Sequence, residues 1–529
     1  MRRRAQAGPG AEPPRRQRTF RRWRCAAAVA ALAAGLALAR GANAADCAAL
    51  VHLDVPGARV VAAEPQPASA DAPAYCRVKA VAADGIGMEV WLPSAGWNGR
   101  LLSVGSGGFG GRIYAASMVT GLTRGYAVTG NDTGHQGDDR AWMADRTKVR
   151  DWGHSATHLA TGPAKALVAA YYGRPAQYAY FQGCSTGGAQ AMEEAQFYPE
   201  DYDGIVAGAP GMSYAHLMLS FLWGLKAADR PGALIPDDKL ALLHQAVLAA
   251  CDAQDGVEDG LVSDPQACRF DPATLRCRPA QTAGCLTPAQ VDTARLIYRG
   301  PRNPRTGAQI YPGFAFGSEA DPEAGPAGAK TYGWSQIQSQ LAEEYAIPLL
   351  RDMVYRDPHW DWRTFDWDKD VASLDRRIAG DITALSPDLR AFAARGGKLL
   401  AYQGWGDPLN GQTLLIDYRD QVIGRFTGSS GRGEARRQVD DFFRVFMVPG
   451  MGHCANGPGP NRFDALAAVR AWVEEDRPPA FLIATHTPAG STAPDLSRPL
   501  CPYPQVARFD GHGPTSAASS FTCRAHDRR

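Results

Sequence analysis

The chain of 529 residues has no apolar run long enough to cross a bilayer, no C-x-x-C pair and no internal repeat. Beyond its first 44 residues it also has no cluster of basic side chains. A spanning helix needs about 20 consecutive apolar residues, and the one candidate, residues 25–39, is shorter. It follows an arginine-dense stretch and precedes Ala42-Asn43-Ala44. Charged, then apolar, then small is the order of a secretory signal peptide. Residues 1–44 are therefore expected to be a leader, and the mature chain is expected to be secreted or periplasmic, with no stable membrane association. The Arg21-Arg22 pair keeps a twin-arginine route open beside the general one. The leader holds 10 Arg and one Glu, so the mature chain carries 46 basic against 53 acidic side chains, a net of −7. With the basic residues gone, nothing implies a nucleic-acid partner.

Eleven cysteines are present, and Cys25 belongs to the leader. Ten remain, and an even number in an exported chain implies five disulfides in an oxidising compartment. Their separations suit no zinc site, and spacing alone leaves the pairing open.

What is there reads as alternating strands and helices. A turn feeds a strand over residues 97–104, a glycine-rich loop covers 105–111, and a short strand covers 126–128. A helix is expected over 156–172, an aromatic strand over 178–181, a tight turn over 183–188 and a helix over 189–197. This alternation implies a parallel sheet covered on both faces. From 211 to 394 the rhythm changes. That stretch holds four of the ten cysteines and an aromatic run of Tyr332, Trp334, Tyr345, Tyr355, Trp360, Trp362, Phe365 and Trp367. It is read as an inserted lid domain between core parts at 45–210 and 395–529. Strands follow at 398–402 and 444–448, then a helix over 464–475. Residues 427–433 are read as a surface loop, and the C-terminal tail as flexible except where Cys523 pins it.

Gly183-Cys184-Ser185-Thr186-Gly187 is a G-x-S-x-G pattern between a strand and a helix. In that setting a sharp turn lifts a serine hydroxyl above the sheet edge, facing the N–H groups that open the helix. A serine needs a base, and the base needs an orienting acid, in the order Ser, Asp, His. Asp407 in Gln403-Gly404-Trp405-Gly406-Asp407-Pro408 and His453 in Pro449-Gly450-Met451-Gly452-His453-Cys454 each follow an expected strand. A capping aspartate and a loop histidine are the alternatives. His135, His154 and His158 precede the serine and fit the order less well. Cys184 precedes the serine and Cys454 follows the histidine, so a bridge between them would hold both loops at hydrogen-bonding range.

Cys-Ser, then Asp, then His-Cys on one exported chain resembles the tannase and feruloyl esterase family, which includes a hydrolase of mono(hydroxyethyl) terephthalate. The resemblance covers essentially all of the mature chain. It implies an α/β fold, with an α/β-hydrolase core and a large inserted lid, and hydrolysis of esters of aromatic acids without an organic cofactor. It also implies the bridges Cys47–Cys76, Cys251–Cys268, Cys277–Cys285 and Cys501–Cys523. For the oxyanion hole, one donor is the N–H after the nucleophile, on Thr186. The resemblance places the other in Gly105-Ser106-Gly107-Gly108, at Gly107 or Gly108.

In the expected lid, Cys251-Asp252-Ala253-Gln254-Asp255-Gly256-Val257-Glu258-Asp259-Gly260-Leu261 carries three aspartates within eight residues. Such a loop can aim oxygens at one hard cation. It is no EF-hand, because Gln266 stands where the twelfth position would need Glu. The family resemblance implies structural Ca²⁺ on the side chains of Asp252, Asp255 and Asp259 and the carbonyls of Val257 and Leu261. An acidic solvated turn is the alternative. The expected partner is a small aromatic ester, hydroxycinnamoyl first, with galloyl esters and terephthalate monoesters open. A catalytically inactive calcium-dependent binding protein is the reading from a different class. The sequence leaves the oligomeric state open.

Overall fold

In a computed structural model of the protein, residues 46–320, 333–429 and 431–525 are described; the expected leader and Tyr332 lie outside them. The central sheet has nine strands. They are β1 (Ala58–Gln66), β2 (Tyr75–Ala82), β3 (Gly87–Pro93), β4 (Arg100–Val104), β5 (Ala127–Asn131), β6 (Tyr178–Cys184), β7 (Gly204–Gly208), β8 (Lys398–Gly404) and β9 (Phe443–Val448). Their spatial order is β1-β2-β3-β5-β4-β6-β7-β8-β9.

The parallel sheet expected from the sequence holds only for part of this. From β5 through β4 to β9 every pair is parallel, whereas β1, β2, β3 and β5 pair antiparallel. The connections explain the difference. Short links join β1 to β2 and β2 to β3, and short links permit only antiparallel neighbours, because a parallel pair needs a crossover of a dozen or more residues. Burial follows topology. Every residue of β5 and β7 is buried, while β2 alternates between half-buried and buried, as in a sheet that is covered on both faces only at its centre.

Adjacent residues of one strand feed opposite cores. Leu101, Phe181 and Leu399 join the face packed by the helices Ala156–Tyr172 and Thr186–Phe197. Leu102, Tyr180 and Leu400 join the face packed by the helices Ala115–Leu122 and Ala465–Glu475. Helix Ala156–Tyr172 ends at Gly173, whose φ of 66° is the left-handed stop that glycine supplies readily. The helix after the tight turn starts at Thr186, earlier than the expected 189, since the turn residues already belong to its first turn.

Residues 211–394 contribute most of a further apolar cluster, which also takes in Trp142, Met143, Val149 and Trp152. The aromatic run serves mainly to pack this cluster. Trp334 and Phe365 are buried, Tyr355 stacks on Trp360 at 4.7 Å and Trp367 meets Trp223 edge-on at 4.9 Å.

Two further expectations are corrected. The C-terminal tail is structured: Leu482–His486 pairs with Leu496–Leu500, and Gln505–Phe509 with Phe521–Ala525. Polar and proline residues in these strands hide the period-2 signal. The loop expected over 427–433 is cut short by the helix Gly431–Asp440, which the apolar contacts of Ala435 and Val439 hold on the core. Five disulfides form: Cys47–Cys76, Cys184–Cys454, Cys251–Cys268, Cys277–Cys285 and Cys501–Cys523.

Candidate active site

Ser185 sits between β6 and the helix Thr186–Phe197 with φ 63° and ψ −120°. A non-glycine residue held there costs about 1–3 kcal/mol and persists only where its surroundings enforce it. Here Ser185 N–H donates to Gly208 O at 3.0 Å, and Ser185 O accepts from the N–H groups of Ala189 at 3.0 Å and Gly211 at 3.2 Å. The flanking glycines answer a steric demand. A Cβ on Gly183 would lie 2.3 Å from Gly187 O, and one on Gly187 would lie 2.8 Å from Ser106 O.

The glycine-rich loop after β4 is locked against this turn. Gly187 N–H donates to Ser106 O at 2.8 Å. Gln190 accepts from Ser106 N–H and donates to its hydroxyl, both at 3.0 Å. The carbonyls of Gly107 and Gly108 are tied down as well: Tyr114 donates to the first at 2.9 Å, and the Thr186 hydroxyl to the second at 2.7 Å. Sequence reasoning missed Gln190 and Tyr114, because nothing local marks a helical glutamine or a loop tyrosine as a clamp.

Asp407 is fully buried after β8, and its carboxylate is saturated. Oδ1 accepts from Leu409 N–H at 2.7 Å and Asn410 N–H at 3.1 Å. Oδ2 accepts from Gln403 Nε2 at 2.8 Å and faces His453 Nδ1 at 2.9 Å. The other ring nitrogen, Nε2, is buried and has no hydrogen-bond partner. The aspartate and histidine loops interlock through Trp405 N–H to Val448 O at 2.8 Å and Gly406 N–H to Met451 O at 3.0 Å. The Cys184–Cys454 bridge, with Cα atoms 5.9 Å apart, ties the histidine loop to the serine turn.

Ser185 and His453 line one cavity of about 600 Å³, a volume typical of small-molecule sites. Tyr214, Leu217, Met218, Phe221 and Tyr345 form one wall. Of the aromatic run between residues 332 and 367, Tyr345 is the only described member in this lining. The competing histidines lie outside the lining: His158 pairs with Asp201 at 2.6 Å, His154 with Tyr198 at 3.1 Å, and His135 stacks on Trp142 at 4.1 Å.

The acidic loop follows the helix Asp237–Cys251 and is closed by Cys251–Cys268. Asp252 accepts from Asp259 N–H at 3.1 Å and Gly260 N–H at 2.8 Å, while Asp255 accepts from Val257 N–H at 3.1 Å and the Ser263 hydroxyl at 2.6 Å. Asp259 pairs with Arg498 through Oδ2, and its Oδ1 is buried without a partner. Burial pushes the Asp259 carboxyl up to about 6 despite Arg498, and the charges of Asp255 and Asp252 act in the same upward direction. Among the described residues no three His, Cys, Asp or Glu side chains converge as a metal group. On donor chemistry the loop nonetheless fits a hard cation, with an orphaned carboxylate oxygen and mutually repelling acids. The loop also touches the histidine segment, since a Cβ on Gly450 would lie 2.6 Å from Leu261 Cδ2.

Comparison with known proteins adds three kinds of likeness. A family model described as "Tannase and feruloyl esterase" matches residues 71–524. An uncharacterized esterase of Xanthomonas campestris is 38% identical over 93% of each chain. The mono(2-hydroxyethyl) terephthalate hydrolase of Piscinibacter sakaiensis is 33% identical over 88% of this chain and 87% of its own. Among solved structures, feruloyl esterase B from Aspergillus oryzae superposes with a TM-score of 0.80 at 27% identity, over 89% of this chain and 98% of its own.

Proposed function

Because the chain belongs to the tannase and feruloyl esterase family, and so to the carboxylic ester hydrolases, we propose that it is an exported serine esterase acting on esters of aromatic acids. The observation that carries this is one constellation. A serine held at φ 63° shares a cavity with a histidine whose Nδ1 rests on a buried carboxylate and whose Nε2 has no partner.

His453 takes the proton from Ser185 as the hydroxyl oxygen attacks the ester carbonyl. Asp407 holds the imidazole in the tautomer that leaves Nε2 free to accept and stabilises its charged form. The N–H of Thr186 and that of Gly107 or Gly108 receive the oxyanion. The alcohol leaves with a proton from His453, and water then releases the acid from Ser185. Residues 211–394 act as the lid, contributing the apolar wall against which a flat acyl group lies. No organic cofactor takes part.

Five disulfides support export to an oxidising compartment. No described helix is long and apolar enough to cross a membrane.

Labelling with a fluorophosphonate tests the nucleophile. The wild type is expected to take up one label at Ser185 and Ser185→Ala none, with the highest kcat/KM on methyl ferulate, ahead of methyl gallate and a terephthalate monoester. An unlabelled wild-type protein would instead favour the inactive binding-protein reading.

The acidic loop is proposed as a structural Ca²⁺ site on the Asp252, Asp255 and Asp259 side chains and the Val257 and Leu261 carbonyls. The ion would offset the charge of the Asp255 and Asp259 carboxylates, which burial raises above the usual carboxylate range. Chelation by EDTA is expected to lower Tm by on the order of 2 °C or more, restored by excess Ca²⁺. A melting curve indifferent to both would remove the ion, leaving Arg498 as the loop's counter-charge.

A further inference from the structure

Residues 105–111 read Gly-Ser-Gly-Gly-Phe-Gly-Gly, so in the loop packed against the serine turn only Ser106 and Phe109 carry side chains. Glycine loses more backbone freedom on folding than any other residue. A loop this rich in it takes its order from its two side chains and from whatever holds its carbonyls. Gln190 holds Ser106. We propose that Phe109 is the second anchor, a positioning residue through which a cluster of aromatic rings keeps the oxyanion donors in place beside Ser185. The role rests on the reading of Ser185 as nucleophile.

Four rings pack around Phe109. Its ring centre lies 5.3 Å from that of Tyr345, 5.7 Å from Trp152, 6.2 Å from Trp142 and 6.4 Å from Tyr214, all within the range of attractive ring pairs. The cluster is itself tied together, with Trp142 and Trp152 at 5.5 Å and Trp152 edge-on to Tyr214 at 4.7 Å. Trp142 and Trp152 precede the serine in sequence, whereas Tyr214 and Tyr345 belong to residues 211–394. Phe109 therefore joins the loop to both parts of the chain. Gly110 N–H donates to Gly107 O at 3.0 Å and closes the turn that carries Phe109.

Gly105, Ser106, Gly107 and Gly108 line the cavity beside Ser185 and His453, but Phe109 does not. Its ring acts on the site only through the backbone. Trp152, one of the four rings, reaches that backbone directly by donating from Nε1 to Gly108 O at 3.3 Å. A trans peptide turns its N–H away from its carbonyl. Fixing the carbonyls of Ser106 and Gly107 thereby fixes where the N–H groups of Gly107 and Gly108 point. Loss of the Phe109 ring leaves these peptides to hydrogen bonds alone, with glycine on both sides, and lets the donors drift. A neutral ester carbonyl needs such donors little, while the oxyanion needs them fully. The loss then appears in kcat rather than in KM.

The test uses Phe109→Leu in the full-length protein, on the ester that the wild type cleaves fastest. The kcat is expected to fall about 30-fold, less than the roughly 100-fold or more that outright loss of an oxyanion donor costs, with KM within about threefold. Binding of an arylboronic acid, which forms a tetrahedral adduct on an active serine, is expected to weaken in parallel. Phe109→Tyr, which keeps the ring, is expected to stay within about threefold of wild type on both measures. Phe109→Met fills the space with a flexible chain and no ring, and gives the same comparison should the leucine variant not fold. Ring-less variants with kcat near wild type, or with a loss confined to KM, would overturn Phe109 as an anchor, while fluorophosphonate labelling of Ser185 would still uphold the nucleophile. A wild type that takes up no label would remove the nucleophile and this role together.

Discussion

Asp407→Asn is expected to lower kcat by about 10⁴-fold while leaving the protein folded, on the pattern of triads whose orienting acid is turned into an amide. The reason lies in the four hydrogen bonds around the carboxylate. Oδ1 is held by the N–H groups of Leu409 and Asn410, so an asparagine keeps its carbonyl oxygen there and turns its NH₂ toward His453 and Gln403. Two donors then face each other at Nδ1. The imidazole can relieve this only by moving its proton to Nε2, the atom that must accept from Ser185. Packing is preserved because the side chain is nearly isosteric. Asp407→Ala, by contrast, would take the acceptor away from Leu409 N–H, Asn410 N–H and Gln403 Nε2, at about 1–3 kcal/mol for a donor left buried and unsatisfied, and mix a folding defect into the result. Single-turnover kinetics beside a thermal melt separate the two. Asparagine activity within about tenfold of wild type would show that Asp407 is a structural cap.

Opening the Cys184–Cys454 bridge is expected to lower kcat/KM by roughly 100-fold before the fold is lost, the scale of effect that follows from a misplacement of about 1 Å. The two cysteines are 270 residues apart in sequence. The histidine loop is bonded to the aspartate loop through Trp405 and Gly406, so the Asp407–His453 contact survives without the sulfurs. Registry between the imidazole and the serine hydroxyl depends on the bridge. The double variant Cys184→Ala/Cys454→Ala isolates this bond from the other four disulfides. Its Tm is also expected to fall, since closing a loop this long stabilises by roughly 5 kcal/mol in the chain-entropy account. Full activity in that variant would show that the sheet alone sets the Ser–His distance.

The glycine-flanked turn and the interlocked loops show why the candidate site was legible in sequence. A strand followed by Gly-x-Ser-x-Gly and a helix is a local signal, because the backbone there needs small residues within a few positions of the serine. Cys184 and Cys454 carried long-range information in the same way, each next to a residue it positions. The walls of the cavity carried no such mark. Tyr345 and Trp334 belong to one aromatic run, yet the first lines the cavity and the second is buried in the packing of residues 211–394.

The amino-acid order alone determined the α/β class, the central strands, the family and the three residues proposed for catalysis, because each rests on contacts within a short window or on a motif. Tertiary structure decided what depends on residues far apart. It made the N-terminal edge antiparallel, built strands into the tail, and joined Gln190 to Ser106 across 84 positions. It also buried Glu193 and Glu194 completely, where desolvation holds both carboxyls well above their ordinary range. Burial is a property of what packs on a helix, and the helix's own residues do not specify it.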